Sequence, residues 1–137
     1  VIAKLLLLVE SNTTGTGRQF AQRAAWHGYV PVLLSADPAR YPYAREDGLR
    51  TVLADTADED ALWAAVTALA AEAPIAGVLS SSEYYIATAA ALAGRLGLAG
   101  PSPAAVRACR DKSLQRRALA DAGVPVPAST LVEDVAA

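Results

Sequence analysis

The chain has 137 residues, with 53% apolar, 19% charged and 6% aromatic side chains, the composition of one folded domain of ordinary size. Disordered, collagen-like and coiled-coil architectures are excluded on that ground. Twelve Lys and Arg against fourteen Asp and Glu leave a net charge of −2, so no basic field exists to hold a phosphate backbone and no nucleic-acid partner is expected. The longest apolar runs, such as Leu5 to Val9, fall far short of the roughly 20 residues of a membrane span, and no signal-peptide pattern opens the chain. These features read as a cytoplasmic protein with no membrane partner. The single cysteine, Cys109, can form neither an intramolecular disulfide nor a cysteine metal site, and its helical setting predicts a small, buried, apolar role. The chain holds no methionine and therefore reads as processed or as a piece of something longer. Its only lysines are Lys4 and Lys112, which makes a lysine informative against an arginine-rich background.

The short apolar run Ala3 to Val9 predicts a strand buried on both faces, and Glu10 to Gly17 a polar turn. From Arg18 to His27 the residues Phe20, Ala21, Ala24 and Ala25 recur at helical spacing, with His27 at the C-terminal end and Gly28 as the stop. A second strand follows over Tyr29 to Leu34, then loop chemistry from Ser35 to Gly48 with an exposed Tyr41-Pro42-Tyr43 segment, and a short strand at Thr51 to Ala54. Asp58-Glu59-Asp60 opens a helix whose stripe is Leu62, Trp63, Val66 and Leu69 and which Pro74 ends. Trp26 and Trp63 are expected in or against the core. Ile75 to Leu79 reads as a fourth strand, with Ser80, Ser81 and Ser82 as N-cap candidates for a helix from Glu83 to Leu96. After a Gly/Pro-rich loop, a short helix near Ala104 to Ala108 leads to Asp111, the N-cap of a helix to Ala122 that Gly123 and Pro125 close.

This alternation requires an α/β fold, an open parallel sheet of about four strands with helices on both faces. Residues 1–125 form the domain and 126–137 an extended junction leading away from it. Ligands of such sheets collect at the carboxyl ends of the strands, where Glu10 to Gly17, Ser35 to Asp47 and Ser80 to Glu83 are expected.

Gly15-x-Gly17 before a helix, with Asp37 following 20 residues after Gly17, matches part of a dinucleotide fingerprint and keeps a nicotinamide-binding Rossmann module as an alternative. Phe20 at the third glycine position weighs against it, because close helix packing at a pyrophosphate needs a small residue there. A plain glycine turn, or a helix N-terminus meeting a substrate anion, are the other readings. Glu83 fits a dipole-favoured first-turn acid, or an acid facing a cationic group of a ligand. Lys112 follows the Asp111 cap, where a cation is disfavoured by roughly 0.3–1 kcal/mol unless an anion is near; it is either a solvated lysine or a phosphate ligand. No paired acids, His-Glu-x-x-His or nucleophile with a base is present, so the chain alone carries no catalytic constellation. A docking role for the Tyr41 to Tyr43 segment and the sheet edge is a third class of function.

The stretch Leu98-x-Gly100-Pro101-Ser102-Pro103-x-Ala105-Val106-x-x-Cys109-Arg110-Asp111-Lys112-Ser113-x-Gln115-Arg116-x-x-Leu119-x-x-Ala122-Gly123-Val124-Pro125-Val126-Pro127 resembles the junction region of ATP-grasp ligases. The α/β unit before it, with Ser81-Ser82-Glu83 at a strand end, is similar to their Rossmann-like pre-ATP-grasp domain. The resemblance implies an enzyme that uses ATP and Mg²⁺ to convert a carboxylate to an acyl phosphate for attack by an amine, of the amino-acid ligase type. A relative of biotin carboxylase or carbamoyl phosphate synthetase acting on bicarbonate is the alternative. Lys112 matches a lysine that reaches ATP phosphates, while Asn12, Thr14, Ser82 and Glu83 match regions facing the organic substrate. Members often pair through this domain, which implies a homodimer. The metal ligands are expected outside this chain, which by itself is expected to be inactive.

Overall fold

The computed structural model describes residues 3–132. Four strands, β1 (Leu5–Val9), β2 (Val30–Ser35), β3 (Arg50–Leu53) and β4 (Ile75–Leu79), form one sheet in the order β3-β2-β1-β4. All pairings are parallel. Six helices accompany them: α1 (Gly15–Trp26), α2 (Pro42–Glu46), α3 (Glu59–Glu72), α4 (Ile86–Arg95), α5 (Pro103–Arg110) and α6 (Lys112–Asp121). The expected α/β class and strand number hold.

β1 lies in the middle, pairing Leu7 with Val32 on one edge and with Val78 on the other. Its side chains alternate between two cores, as a period of two requires. Leu5, Leu7 and Val9 pack with Val32, Leu34, Leu62, Val66 and Leu69 beneath α3 and α4. Leu8 packs on the opposite face with Ala21, Leu33, Tyr41, Tyr43 and Ala44. The chain moves outward from β1 through β2 to β3 and then crosses back to β4, so the crossover helix changes face, as right-handed connections demand.

Local signals place the ends of the elements. Asp58 caps α3 by accepting from the Asp60 and Ala61 amides at 2.9 Å each, and Asp111 caps α6 through Ser113 at 2.8 Å and Leu114 at 3.0 Å. Gly28 takes φ +83 after α1, a left-handed conformation that glycine adopts without strain.

Several expectations are corrected. α1 meets the sheet through Gly17, Ala21 and Ala24, so its contact stripe is one of small residues and the flanking Phe20 and Ala25 are exposed. Trp26 is 73% exposed, beyond the reach of that stripe, whereas Trp63 is half-buried as expected. Tyr41 and Tyr43, read as an exposed loop, are buried at the end of a 3₁₀ turn (Pro38–Arg40) and in α2, because Leu8 and Leu33 need covering on that face. Cys109 is exposed, since α5 buries no residue. α4 begins at Ile86 rather than Glu83 and has Tyr85, not a serine, at its N-cap. Ser80 Oγ instead accepts from the Ser82 amide at 3.0 Å, a turn that delays the helix. Residues 126–132 are in neither helix nor strand, and the junction's last residues, 133–137, lie outside the described residues.

Gly17 allows the closest approach in the turn: a Cβ there would lie 2.1 Å from the Asn12 carbonyl oxygen and 2.7 Å from Ser11 Oγ, whereas nothing lies within 4 Å at Gly15. Gly17→Ala is expected to cost about 1–3 kcal/mol, and Gly15→Ala, in the first turn of the helix, to be neutral or stabilising by up to about 1 kcal/mol. Urea unfolding of the two variants measures the contrast.

Candidate functional site

Immediately after β1 the backbone turns sharply: Glu10 takes φ 45, a left-handed conformation that costs a residue with a Cβ roughly 1–2 kcal/mol. The turn directs its carboxylate back under the loops, where the residue is only 6% exposed. Four donors satisfy it. Ser35 Oγ donates at 2.9 Å, the Ala36 amide at 2.8 Å and Thr56 Oγ1 at 2.9 Å, and the Tyr41 hydroxyl donates as well. Burial alone would raise the pKa of Glu10, but the bonds from Tyr41, Ala36, Thr56 and Ser35 favour the charged form and carry it below the ordinary value. Tyr41 is pushed up to about 12, first by burial and then by its bond to Glu10.

The network ends at a crevice. Strand order reverses between β1 and β4, and at that point the loops leaving the two strands meet. Ser11 Oγ and Ser81 Oγ are 2.6 Å apart, and Ser81 Oγ accepts from the Asn12 amide at 2.9 Å. The Tyr41 hydroxyl accepts from the Ser11 amide at 3.1 Å, and Tyr43 donates to the Asn12 carbonyl at 3.3 Å.

The two expected substrate segments are therefore brought together. Asn12 is exposed in the crevice loop. Thr14 sits at the N-cap of α1 without a side-chain cap bond, its carbonyl accepting from Gly17 at 3.0 Å. The Ser82 carbonyl accepts from the Tyr85 amide at 2.9 Å, shaping the turn in which Glu83 is exposed. Asp37 caps the 3₁₀ turn by accepting from Ala39 at 3.1 Å.

Lys112 stands apart from the crevice, as the first residue of α6. With Ser113, Arg116, Arg117 and the segment 126–131 it lines a cleft of about 480 Å³. Its Nζ donates to Gln115 Oε1 at 3.5 Å. A cation–π contact links the regions: the Arg110 guanidinium, two residues before Lys112, lies 4.1 Å from the ring centroid of Tyr84, the neighbour of Glu83.

Known proteins share this fold. The ATP-grasp N-terminal domain family matches residues 21–100, more than half of the chain. The chain belongs to this family. It is 37% identical over 124 residues to the uncharacterized protein y4rH of Sinorhizobium fredii, an alignment that takes in 90% of this chain and 26% of that protein. The L-amino acid ligase from Bacillus licheniformis has the same fold, with a TM-score of 0.73 at 23% identity over 93% of this chain and 32% of its own. The chain thus spans about a quarter and a third of these two proteins.

In this ATP-grasp N-terminal domain the described residues that line the cleft on α6 include three cations, Lys112, Arg116 and Arg117, and no acid. Among the described residues no group of three or more His, Cys, Asp or Glu side chains is placed to hold a metal ion. No helix of the described residues is long and apolar enough to cross a membrane. The sequence placed Glu10, Ser11, Tyr41 and Ser81 within the segments expected at the strand ends but gave none of them a role of its own in the crevice. The only local signal was a lone acid directly at the end of a buried strand.

Because the pKa of Glu10 is lowered in the folded state, its contribution to stability is full above its ordinary value of 4.5 and is lost as pH falls through the folded value. Glu10→Gln is expected to be less stable than the parent at neutral pH, with the difference shrinking only as pH falls below 4.5. For Tyr41 the sign is opposite: its contribution is full below pH 10 and disappears as pH rises through about 12. Denaturant unfolding across pH, in parent and variants, checks both slopes.

Proposed function

We propose that this domain is the N-terminal part of an ATP-dependent carboxylate–amine ligase of the amino-acid ligase type. The observation that carries the reading is the meeting of the β1 and β4 loops through Ser11 and Ser81 at the switch point of the sheet, in a chain of the ATP-grasp N-terminal domain family. The named activity of the Bacillus licheniformis protein, an L-amino acid ligase, supports the amino-acid preference.

In this reading the carboxylate oxygen of the first substrate attacks the γ-phosphorus of ATP and ADP departs. The amine then attacks the acyl carbon, releasing phosphate and forming the amide. This chain's own residues bind and orient. Lys112, with Arg116 and Arg117 beside it, holds phosphate oxygens as a cationic cleft. Glu83 accepts hydrogen bonds from the ammonium group of an amino-acid substrate, and Asn12, Thr14 and Ser82 contact its polar atoms. Phosphoryl transfer needs more converging positive charge than this cleft provides, so the 137-residue chain alone is expected to be inactive, and Mg²⁺ is expected to bind to other parts of the protein. A homodimer formed through this domain accompanies the proposal.

In the intact protein containing this domain, ADP release is expected to be stimulated by amino acids. Stimulation by bicarbonate with biotin or ammonia, and not by amino acids, would overturn the amino-acid assignment. Lys112→Ala is expected to raise KM for ATP roughly ten- to hundredfold, the loss of one charged hydrogen-bonding group, with little change in KM for the carboxylate. Glu83→Ala is expected to act on KM of the organic substrate instead. Steady-state kinetics with each substrate varied in turn separates the two.

A further inference from the structure

We infer that Glu10 and Tyr41 are positioning residues that hold Asn12 as a preformed recognition side chain for the organic substrate. The inference rests on the reading of the crevice given above. Ser11 and Asn12 have four backbone polar groups between them, and side chains hold three. The Ser11 amide donates to Tyr41 at 3.1 Å, the Asn12 amide to Ser81 Oγ at 2.9 Å, and the Asn12 carbonyl accepts from Tyr43 at 3.3 Å. The fourth, the Ser11 carbonyl, lies 3.3 Å from the same Tyr41 hydroxyl. This backbone therefore has little left to offer a ligand, and the loop presents the exposed Asn12 side chain.

Glu10 gives the arrangement its direction. A phenol has one proton, and the buried carboxylate accepts it. The Tyr41 oxygen is left as an acceptor facing the Ser11 amide. A neutral or apolar residue at position 10 would leave that proton free to turn toward the Ser11 carbonyl, and the peptide would lose its fixed orientation. A buried charge is poor evidence of a stabilising role, and a strained non-glycine residue persists where surrounding structure over-determines it, often at functional sites. Glu10 combines both features directly beneath the crevice. On the other side Gly17 approaches so closely that a Cβ would sit 2.1 Å from the Asn12 carbonyl oxygen, which confines the same peptide.

The test is a double-mutant cycle in the intact protein, reading KM for the amino acid that stimulates ADP release and KM for ATP. Asn12→Ala is expected to raise the amino-acid KM about five- to tenfold, the loss of a neutral hydrogen bond, and to leave the ATP KM unchanged. Tyr41→Phe, and the milder Tyr43→Phe, are expected to raise the same KM in the otherwise native protein and to add nothing to it once Asn12 is alanine. Val66→Ala, which destabilises the opposite core, is expected to leave both KM values unchanged. If Tyr41→Phe leaves the amino-acid KM unchanged, or adds its full effect on top of Asn12→Ala, the positioning role is overturned while the crevice assignment stands. If Asn12→Ala has no effect although amino acids stimulate ADP release, the crevice assignment itself fails.

Discussion

β1 is paired along both edges and covered on both faces, and that constraint generates the rest of the molecule. With β2 on one edge and β4 on the other, the chain must leave in one direction and return in the other. Parallel pairing makes each return a crossover rather than a hairpin, and handedness then assigns the α1–α2 and α3–α4 layers to opposite faces. The loop after β1 and the loop after β4 belong to crossovers on different faces, so they diverge and leave a crevice. The Ser11 and Ser81 hydroxyls close its floor at 2.6 Å. The site is thus a consequence of strand order before any residue in it is chosen.

A parallel sheet has a weakness at the same end. No tight turn ties neighbouring strands together there, and each carboxyl end opens into a separate loop. Glu10 supplies the missing tie. A carboxylate offers about four lone-pair sites, and here donors from the end of β2 (Ser35 and Ala36), from beyond β3 (Thr56) and from the 3₁₀ turn (Tyr41) occupy them. Gathering the ends of three strands requires the side chain to turn back under the sheet, which is why the backbone at Glu10 is left-handed. The penalty of that conformation and the desolvation of the charge are offset by the four bonds, and the lowered pKa records the balance.

What was legible in the sequence is what local chemistry decides. The apolar runs Leu5 to Val9 and Ile75 to Leu79 are strands because β-strands buried on both faces need no polar alternation, and Asp58, Asp111 and Gly28 mark helix ends because capping acts within a single turn. The Asp111-Lys112 motif and the segment Gly123 to Pro127 placed the chain in its family. The buried faces were harder to read. α1 lies on the sheet through Gly17, Ala21 and Ala24, and small residues give periodicity no contrast with which to choose between that stripe and one through Phe20. Tyr41 and Tyr43 sit among prolines and charges, and only the need to cover Leu8 and Leu33 draws them inward. The Glu10 network was out of reach for a related reason: its hydroxyl donors are 25, 31 and 46 residues away, and no local pattern reports their convergence.

The two halves of the proposed site are held in different ways, and this bears on how they work. The crevice is cross-linked from below by buried groups, so its geometry is set before a ligand arrives, which lowers the ordering cost of binding. The cationic cleft sits on α6, and neither α5 nor α6 buries a residue among the described ones. Its place relative to the crevice rests on the packing of α5 against α4 and on Arg110 over the exposed Tyr84 ring. An exposed cation–π contact is worth about 0.5–1 kcal/mol, enough to favour one orientation and too little to lock it. Lys112, Arg116 and Arg117 all stand on α6 and repel one another, so in the proposed reading phosphate binding both uses and stabilises that orientation. In that reading, a rigid site for the organic substrate beside an adjustable one for the nucleotide lets the larger, more highly charged ligand complete the alignment of the two.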